Sequence, residues 1–127
     1  MKSHLKRVCL AVTGLELFGH HGATRGEQAE GNRFRIDLEF EGGFEKALDS
    51  DHLEDTVDYS QAVQAVSETN RANHYFLIES FADAIADDLL TRFPEVKRIS
   101  VRVAKLDPPG LEEKVACTAI NLTKERA

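Results

Sequence analysis

From Phe34 to Glu41 the chain alternates without a break. Phe34, Ile36, Leu38 and Phe40 are apolar; Arg35, Asp37, Glu39 and Glu41 are charged. Successive side chains of a strand point to opposite faces, so this segment predicts a strand with one buried and one charged face. A strand of that kind needs an antiparallel sheet covered on one side only. Gly42 and Gly43 end it.

The flanking segments supply the rest of such a fold. Val8, Leu10 and Val12 alternate with Cys9, Ala11 and Thr13, which predicts a first strand. The polar, glycine-rich stretch from Gly19 to Asn32 reads as a long loop, and long loops in compact domains often carry function. Residues 44–58 read as turns. A helix is expected from about Asp58, a good N-cap, to Asn70 or Asn73, with Ala62, Val63, Ala65 and Val66 as its apolar stripe. A second follows, with Ile78, Phe81, Ala82, Ile85, Leu89 and Phe93 at helical spacing and Pro94 as its stop. Val96, Ile99, Val101 and Val103 predict a third strand, Asp107-Pro108-Pro109-Gly110 a turn, and residues 115–122 a fourth strand. Two strands, two helices and two strands argue an α+β domain with both helices on one face of a four-stranded antiparallel sheet. The 127 residues fit one such domain, 1–127. Its edge strands leave room for pairing between subunits.

Composition excludes several functions. Sixteen Lys and Arg stand against 22 Asp and Glu, a net charge of −6, and the densest basic run is only Lys2, Lys6 and Arg7. That is no surface for nucleic acid. No stretch approaches the roughly 18 apolar residues of a membrane span, and Gly14 and Glu16 interrupt the first apolar run too early for a secretory signal. Cys9 and Cys117 form neither a disulfide framework nor a CxxC pair. A cytoplasmic protein is expected. The histidines at 4, 20, 21, 52 and 74 show no metal-ligand spacing and read as hydrogen-bonding scaffold, so no metal is expected. There is no serine elbow and no phosphate loop.

Three positions suggest chemistry. Lys105 ends the third strand with the parity of Ile99, Val101 and Val103, so its amine lies beside the apolar side, an environment suited to acid–base work. Glu79 opens the second helix, where a carboxylate stays ionised and accepts hydrogen bonds. Tyr59 stands at the start of the first. Each alone has a plain reading: a snorkelling lysine, a first-turn glutamate, a packing tyrosine.

Together these residues form a pattern. Leu17-Phe18-Gly19-His20-His21-Gly22 with Glu27 resembles the F/Y-G-x-H-G…E signature of the dihydroneopterin aldolases. Asp55-Thr56-Val57-Asp58-Tyr59 resembles their D-T-V-x-Y motif, and Leu77-Ile78-Glu79-Ser80-Phe81-Ala82 with Ile85 their L-x-E-x-x-A…I helix start. Val101-Arg102-Val103-Ala104-Lys105 with Pro108-Pro109 resembles V-x-V-x-K-x-x-P-P. The order and spacing agree from about Val8 to Ile120. In three places the chain departs from the pattern. His20 stands where Tyr or Phe is common, Asp107 replaces a frequent Asn, and the stretch after Pro109 is one residue shorter.

The resemblance implies the tunnelling fold, a ββααββ unit closing into tetrameric, barrel-shaped rings that usually stack as an octamer, with active sites at subunit interfaces. It implies cleavage of a pterin, 7,8-dihydroneopterin, to 6-hydroxymethyl-7,8-dihydropterin and glycolaldehyde in folate biosynthesis. No cofactor, metal or enzyme Schiff base is implied. Lys105 and Tyr59 would be catalytic, and Glu27, Ile78 and Glu79 substrate-binding. Two alternatives share the pattern: an epimerase inverting the 2′ carbon of dihydroneopterin or its triphosphate, and a non-catalytic pterin-binding protein.

Overall fold

The structure, a computed structural model, describes residues 4–127, so Lys2 of the basic run lies outside the described residues. Four strands form one sheet in the order β1 (Cys9–Gly19), β2 (Asn32–Glu41), β3 (Arg98–Leu106) and β4 (Cys117–Glu125). All neighbours are antiparallel. Two long helices, α3 (Tyr59–Ala72) and α4 (Ile78–Arg92), follow β2. Two short ones, α1 (Arg25–Glu30) and α2 (Ala47–Ser50), and a 3-10 turn at Leu53–Asp55 lie in the connections.

The alternation in β2 does what it predicts. Phe34, Ile36, Leu38 and Phe40 are fully buried, while Arg33, Arg35 and Glu39 are exposed. The buried face meets Ile99, Val101 and Val103 of β3 and Phe81, Ile85 and Leu89 of α4. Ala62, Ala65 and Val66 turn the small side of α3 into the same core. The polar face is held by ion pairs instead. Asp37 lies 3.7 Å from both Arg35 and Arg102, Arg33 pairs with Glu16 at 3.1 Å, and Arg98 pairs with Glu41. Exposed pairs of this kind contribute little stability and serve mainly to keep that face wet.

Several boundaries differ from the sequence reading, each for a local reason. β1 runs from Cys9 to Gly19, well past residues 8–13, whose alternation predicts it. Gly14 adopts φ +77°, the register with β2 shifts between Val12 and Leu15, and the Gly14 amide donates to Asp37 Oδ1 at 2.7 Å. A side chain anchors this bulge, and the strand resumes beyond it. Residues 19–32 are therefore not all loop. Their ends belong to β1 and β2, and α1 fills the middle, capped where Thr24 Oγ1 accepts from the Glu27 amide at 3.1 Å. Asp58 caps α3 as expected, through the Ser60 amide at 3.0 Å. Phe93 lies just past α4, because the residue before a proline disfavours the helical conformation. Val115 lies outside β4, which starts at Cys117. The Asp107 amide donates to the Ala116 carbonyl at 2.9 Å, and this bond closes the connection before the strand begins.

The two faces should respond differently to truncation. Leu38→Ala should cost about 2–5 kcal/mol of unfolding free energy. Glu39→Ala, its exposed neighbour, should stay within about 0.5 kcal/mol. Urea denaturation of both variants reads the difference; equal losses would contradict the two-faced sheet.

Candidate active site

Lys105 lies one residue from the end of β3, opposite Phe34 of β2 and Thr118 of β4. Directly opposed residues share a face, so its side chain leaves the sheet on the same side as buried Phe34. There it meets Glu27. Lys105 Nζ lies 2.7 Å from Glu27 Oε2, with the two side chains only 13% and 12% exposed. The residues are 78 apart in sequence, so the contact is made entirely by the fold.

The loop after β1 delivers the carboxylate. Glu27 stands in the first turn of α1, where the helix N-terminus favours a negative charge. The chain passes so close that a Cβ on Gly22 would lie 2.4 Å from the Cβ of Glu27. A Cβ on Gly19 would meet Asn70 Oδ1 at 2.4 Å and the His21 ring at 2.7 Å. The glycines of the F-G-x-H-G stretch are thus sites of backbone approach. Burial opposes ionisation of Glu27, but the Lys105 ammonium and the Asn32 amide outweigh it and hold the carboxyl below its ordinary value.

Behind this pair lies a buried polar network. Asn32 Nδ2 donates to Glu27 Oε2 at 3.2 Å and to the His21 carbonyl at 3.0 Å. The His21 ring is fully buried, 4.3 Å from the Phe81 ring between centroids. The Tyr75 amide donates to His21 Nδ1 at 3.1 Å, so the ring hydrogen is on Nε2, which donates to Asn70 Oδ1 at 2.8 Å. Asn70 in turn donates to the Phe18 carbonyl at 3.0 Å. Among the described residues no buried side-chain nitrogen or oxygen lacks a partner. The expectation that the loop histidines act as scaffold holds for His21, and also for His20, whose Nδ1 lies 2.9 Å from the Gln28 carbonyl.

Ile78 and Glu79 open α4, half-buried and exposed respectively, on the segment whose Tyr75 and Phe81 enclose His21. They therefore belong to the same end of the molecule as Lys105 and Glu27. Tyr59 does not. It is the first residue of α3 and 63% exposed, while Asn70, near the other end of that helix, touches the His21 network. Eleven residues of α-helix separate them by roughly 16 Å. A cavity of about 670 Å³ lies near the Tyr59 end, lined by Lys46, Asp55, Val57, Asp58, Gln61 and Arg92 among others, and includes neither Lys105 nor Glu27.

Among the described residues one group brings metal-ligating atoms together: Cys9, Glu39 and Glu41, within 4.8 Å of one another. It lies at the far end of the sheet. Glu41 is seven residues of strand beyond Phe34, the partner of Lys105, or roughly 23 Å. Glu41 already pairs with Arg98. Among the described residues no helix is long and apolar enough to cross a membrane. The sequence reading missed Asn32 and the binding partner of Asn70. Asn70 read only as a helix end, and nothing marks Asn32 as more than a polar residue before a strand.

The network makes a pH prediction. Burial is the main cause that lowers the His21 pKa from its ordinary 6.5, so folding favours the neutral ring. The stability this supplies is complete above that value and is lost as the pH falls below it. Between about pH 7 and about pH 5 the urea midpoint should fall. The fall should be smaller in His21→Gln, which cannot charge; identical slopes would contradict the assignment.

Comparison with known proteins identifies the family. A family model described as FolB, dihydroneopterin aldolase, matches residues 10–123. A dihydroneopterin aldolase from Streptococcus pyogenes serotype M18 is 35% identical over 100 residues, covering 79% of this chain and 84% of that one. The Bacillus subtilis enzyme of the same name is 32% identical over 116 residues, covering 91% and 96%. A solved FolB structure from Vibrio cholerae superposes with a TM-score of 0.84 at 26% identity, covering 96% of this chain and all of the other. The four motifs and the ββααββ order thus have one common explanation: the chain belongs to the dihydroneopterin aldolase family.

Proposed function

We propose that this protein cleaves 7,8-dihydroneopterin by a retro-aldol reaction, using Lys105, Glu27 and Glu79 of one subunit and Tyr59 of its neighbour. The observation that carries this is the half-buried Lys105–Glu27 contact at 2.7 Å beside the start of α4. It puts an ammonium donor and an ionised acceptor together in front of the buried Asn32–His21–Asn70 network.

The chemistry needs few groups. Loss of the 2′-hydroxyl proton lets the C1′–C2′ bond break and glycolaldehyde leave. The bond's electrons pass to C6 and N5 of the substrate's own imine. N5 gains a proton as the enamine forms, and C1′ is then protonated to give 6-hydroxymethyl-7,8-dihydropterin. The electron sink belongs to the substrate, so neither a metal nor an enzyme Schiff base enters the scheme. Glu79 accepts from the pterin 2-amino group and N3–H, while Ile78 packs beside the ring. Lys105, through water, serves N5. Glu27 orders the trihydroxypropyl tail and its water. Tyr59 handles the side-chain hydroxyl or the enol carbon. Re-addition of glycolaldehyde before release inverts the 2′ carbon, so an accompanying epimerase activity follows from the same intermediate.

The placement of Tyr59 supports a site shared between subunits. Its phenol is exposed at the opposite end of α3 from the Lys105 site. Leu53 and Tyr59 expose apolar surface at one end, Phe76 and Leu77 at the other. β1 and β4 are both edge strands of the sheet. A head-to-tail contact joining these ends closes into a ring, and the tetramer or octamer is our reading of the assembly. Both free cysteines, one exposed and one half-buried, suit the reducing cytoplasm.

Lys105→Ala should lower turnover by at least about 10²-fold while leaving pterin affinity nearly unchanged. Glu79→Ala should mainly weaken binding, and an unchanged Kd would refute the anchor role. The shared site has its own test. Lys105→Ala and Tyr59→Phe, each nearly inactive, should recover about a quarter of wild-type activity when unfolded and reassembled together in equal amounts. No recovery would contradict it. Chromatography of the products separates cleavage, which releases glycolaldehyde, from epimerisation alone.

A further inference from the structure

Lys105 and Glu27 form the reacting pair, but a third residue fixes their geometry. Asn32 opens β2, paired with Gly19 at the end of β1, and is 9% exposed. Its side-chain amide has two hydrogens, and both are used. One goes to Glu27 Oε2, the same oxygen that meets Lys105, and one to the backbone carbonyl of His21. The amide therefore spans the carboxylate and the loop that carries it. Glu27 Oε1 has a weaker contact at 3.4 Å with the Thr24 hydroxyl.

We propose that Asn32 is a positioning residue for the aldol reaction, one that orients the Glu27 carboxylate toward Lys105 and the substrate tail by bracing it against the His21 carbonyl. This rests on the reading that Glu27 belongs to the reacting site. Without the brace, the carboxylate keeps Lys105 as a partner but loses the donor that selects which way its plane faces. Two amide bonds are well suited to that task, because a rigid planar donor on a strand end has little freedom of its own. The brace also reaches outward. The His21 carbonyl that takes the second hydrogen belongs to the residue whose ring bonds Asn70 of α3 and the Tyr75 amide before α4. The Asn32 amide and His21 together thus link β2, the loop, α3 and the segment before α4.

The charged group facing Glu27 is Lys105 on β3. Asn32 on β2 and Thr24 before α1 are neutral donors to it, and His21, whose pKa burial lowers against the opposing Asn70 hydrogen bond, lies behind Asn32. Removing the amide therefore takes away one of the groups that keep Glu27 ionised. The acid limb of kcat/KM, which reports the free enzyme, should move to higher pH.

Two measurements test this. In the wild-type protein, the NMR resonances of the Asn32 side-chain amide should titrate with the midpoint of the Glu27 carboxyl carbon, and Glu27→Gln should abolish the shift. An amide that does not follow Glu27 overturns the proposal, and this arm needs no Asn32 variant to fold. In Asn32→Leu, which keeps the bulk, and Asn32→Asp, which adds repulsion, the acid limb should rise by at least about half a pH unit. kcat should fall at least about tenfold, with KM for dihydroneopterin within about threefold. A folded variant whose acid limb stays in place marks a merely structural role and overturns the proposal. Failure of the wild type to cleave dihydroneopterin would sink the functional reading itself, while the amide titration would still decide whether Asn32 holds Glu27.

Discussion

A single contact, Lys105 to Glu27, ties the loop after β1 to the end of β3. Its partners are 78 residues apart and come from the end of strand β3 and the first turn of helix α1. Two charges drawn half out of water attract strongly only where the geometry is good, and loss of either leaves the other poorly solvated. The fold supplies that geometry with hard constraints. Gly19 and Gly22 let backbone pass where no side chain fits, and the core beneath, from Phe34 to Phe81, is closed. Among the described residues no buried side-chain nitrogen or oxygen at this end lacks a partner.

The two faces of the sheet divide the labour. The buried face holds the helices and sets the height of Lys105 above the core. The charged face is crossed by Arg–Asp and Arg–Glu pairs, one of which also anchors the bulge that lets β1 reach Gly19. A feature with little effect on stability thus places the F-G-x-H-G loop. α3 connects the two ends: Asn70 binds the loop of its own subunit, and Tyr59 projects from the opposite end. In a ring, one helix would then serve two sites, bracing one and completing the next.

Much of this was legible in the residues, and what was not has physical reasons. The period of two in β2 and the helical spacing from Ile78 to Leu89 depend on local sequence and on burial, so both elements stand where the pattern puts them. Lys105 was legible through its parity within β3. The bulge at Gly14 was not, because its anchor is Asp37, which the alternation alone assigned to a solvated face. α1 was hidden for another reason: six residues, four of them polar or charged and none buried, show no hydrophobic period, and only the Thr24 cap marks it. The Glu27–Asn32–His21–Asn70 network joins residues up to 49 apart, and single polar residues carry no sign of such partners. Glu27 itself entered only through family resemblance; the structure gives that resemblance a physical content.

The most direct test of the account is a single-turnover measurement on Glu27→Gln, which keeps the shape of the side chain and removes its charge. With dihydroneopterin bound at saturation, glycolaldehyde release should slow by at least about tenfold, while the pterin Kd stays within about twofold of wild type. Release at the wild-type rate would show that the Lys105–Glu27 pair is not the centre of the reaction.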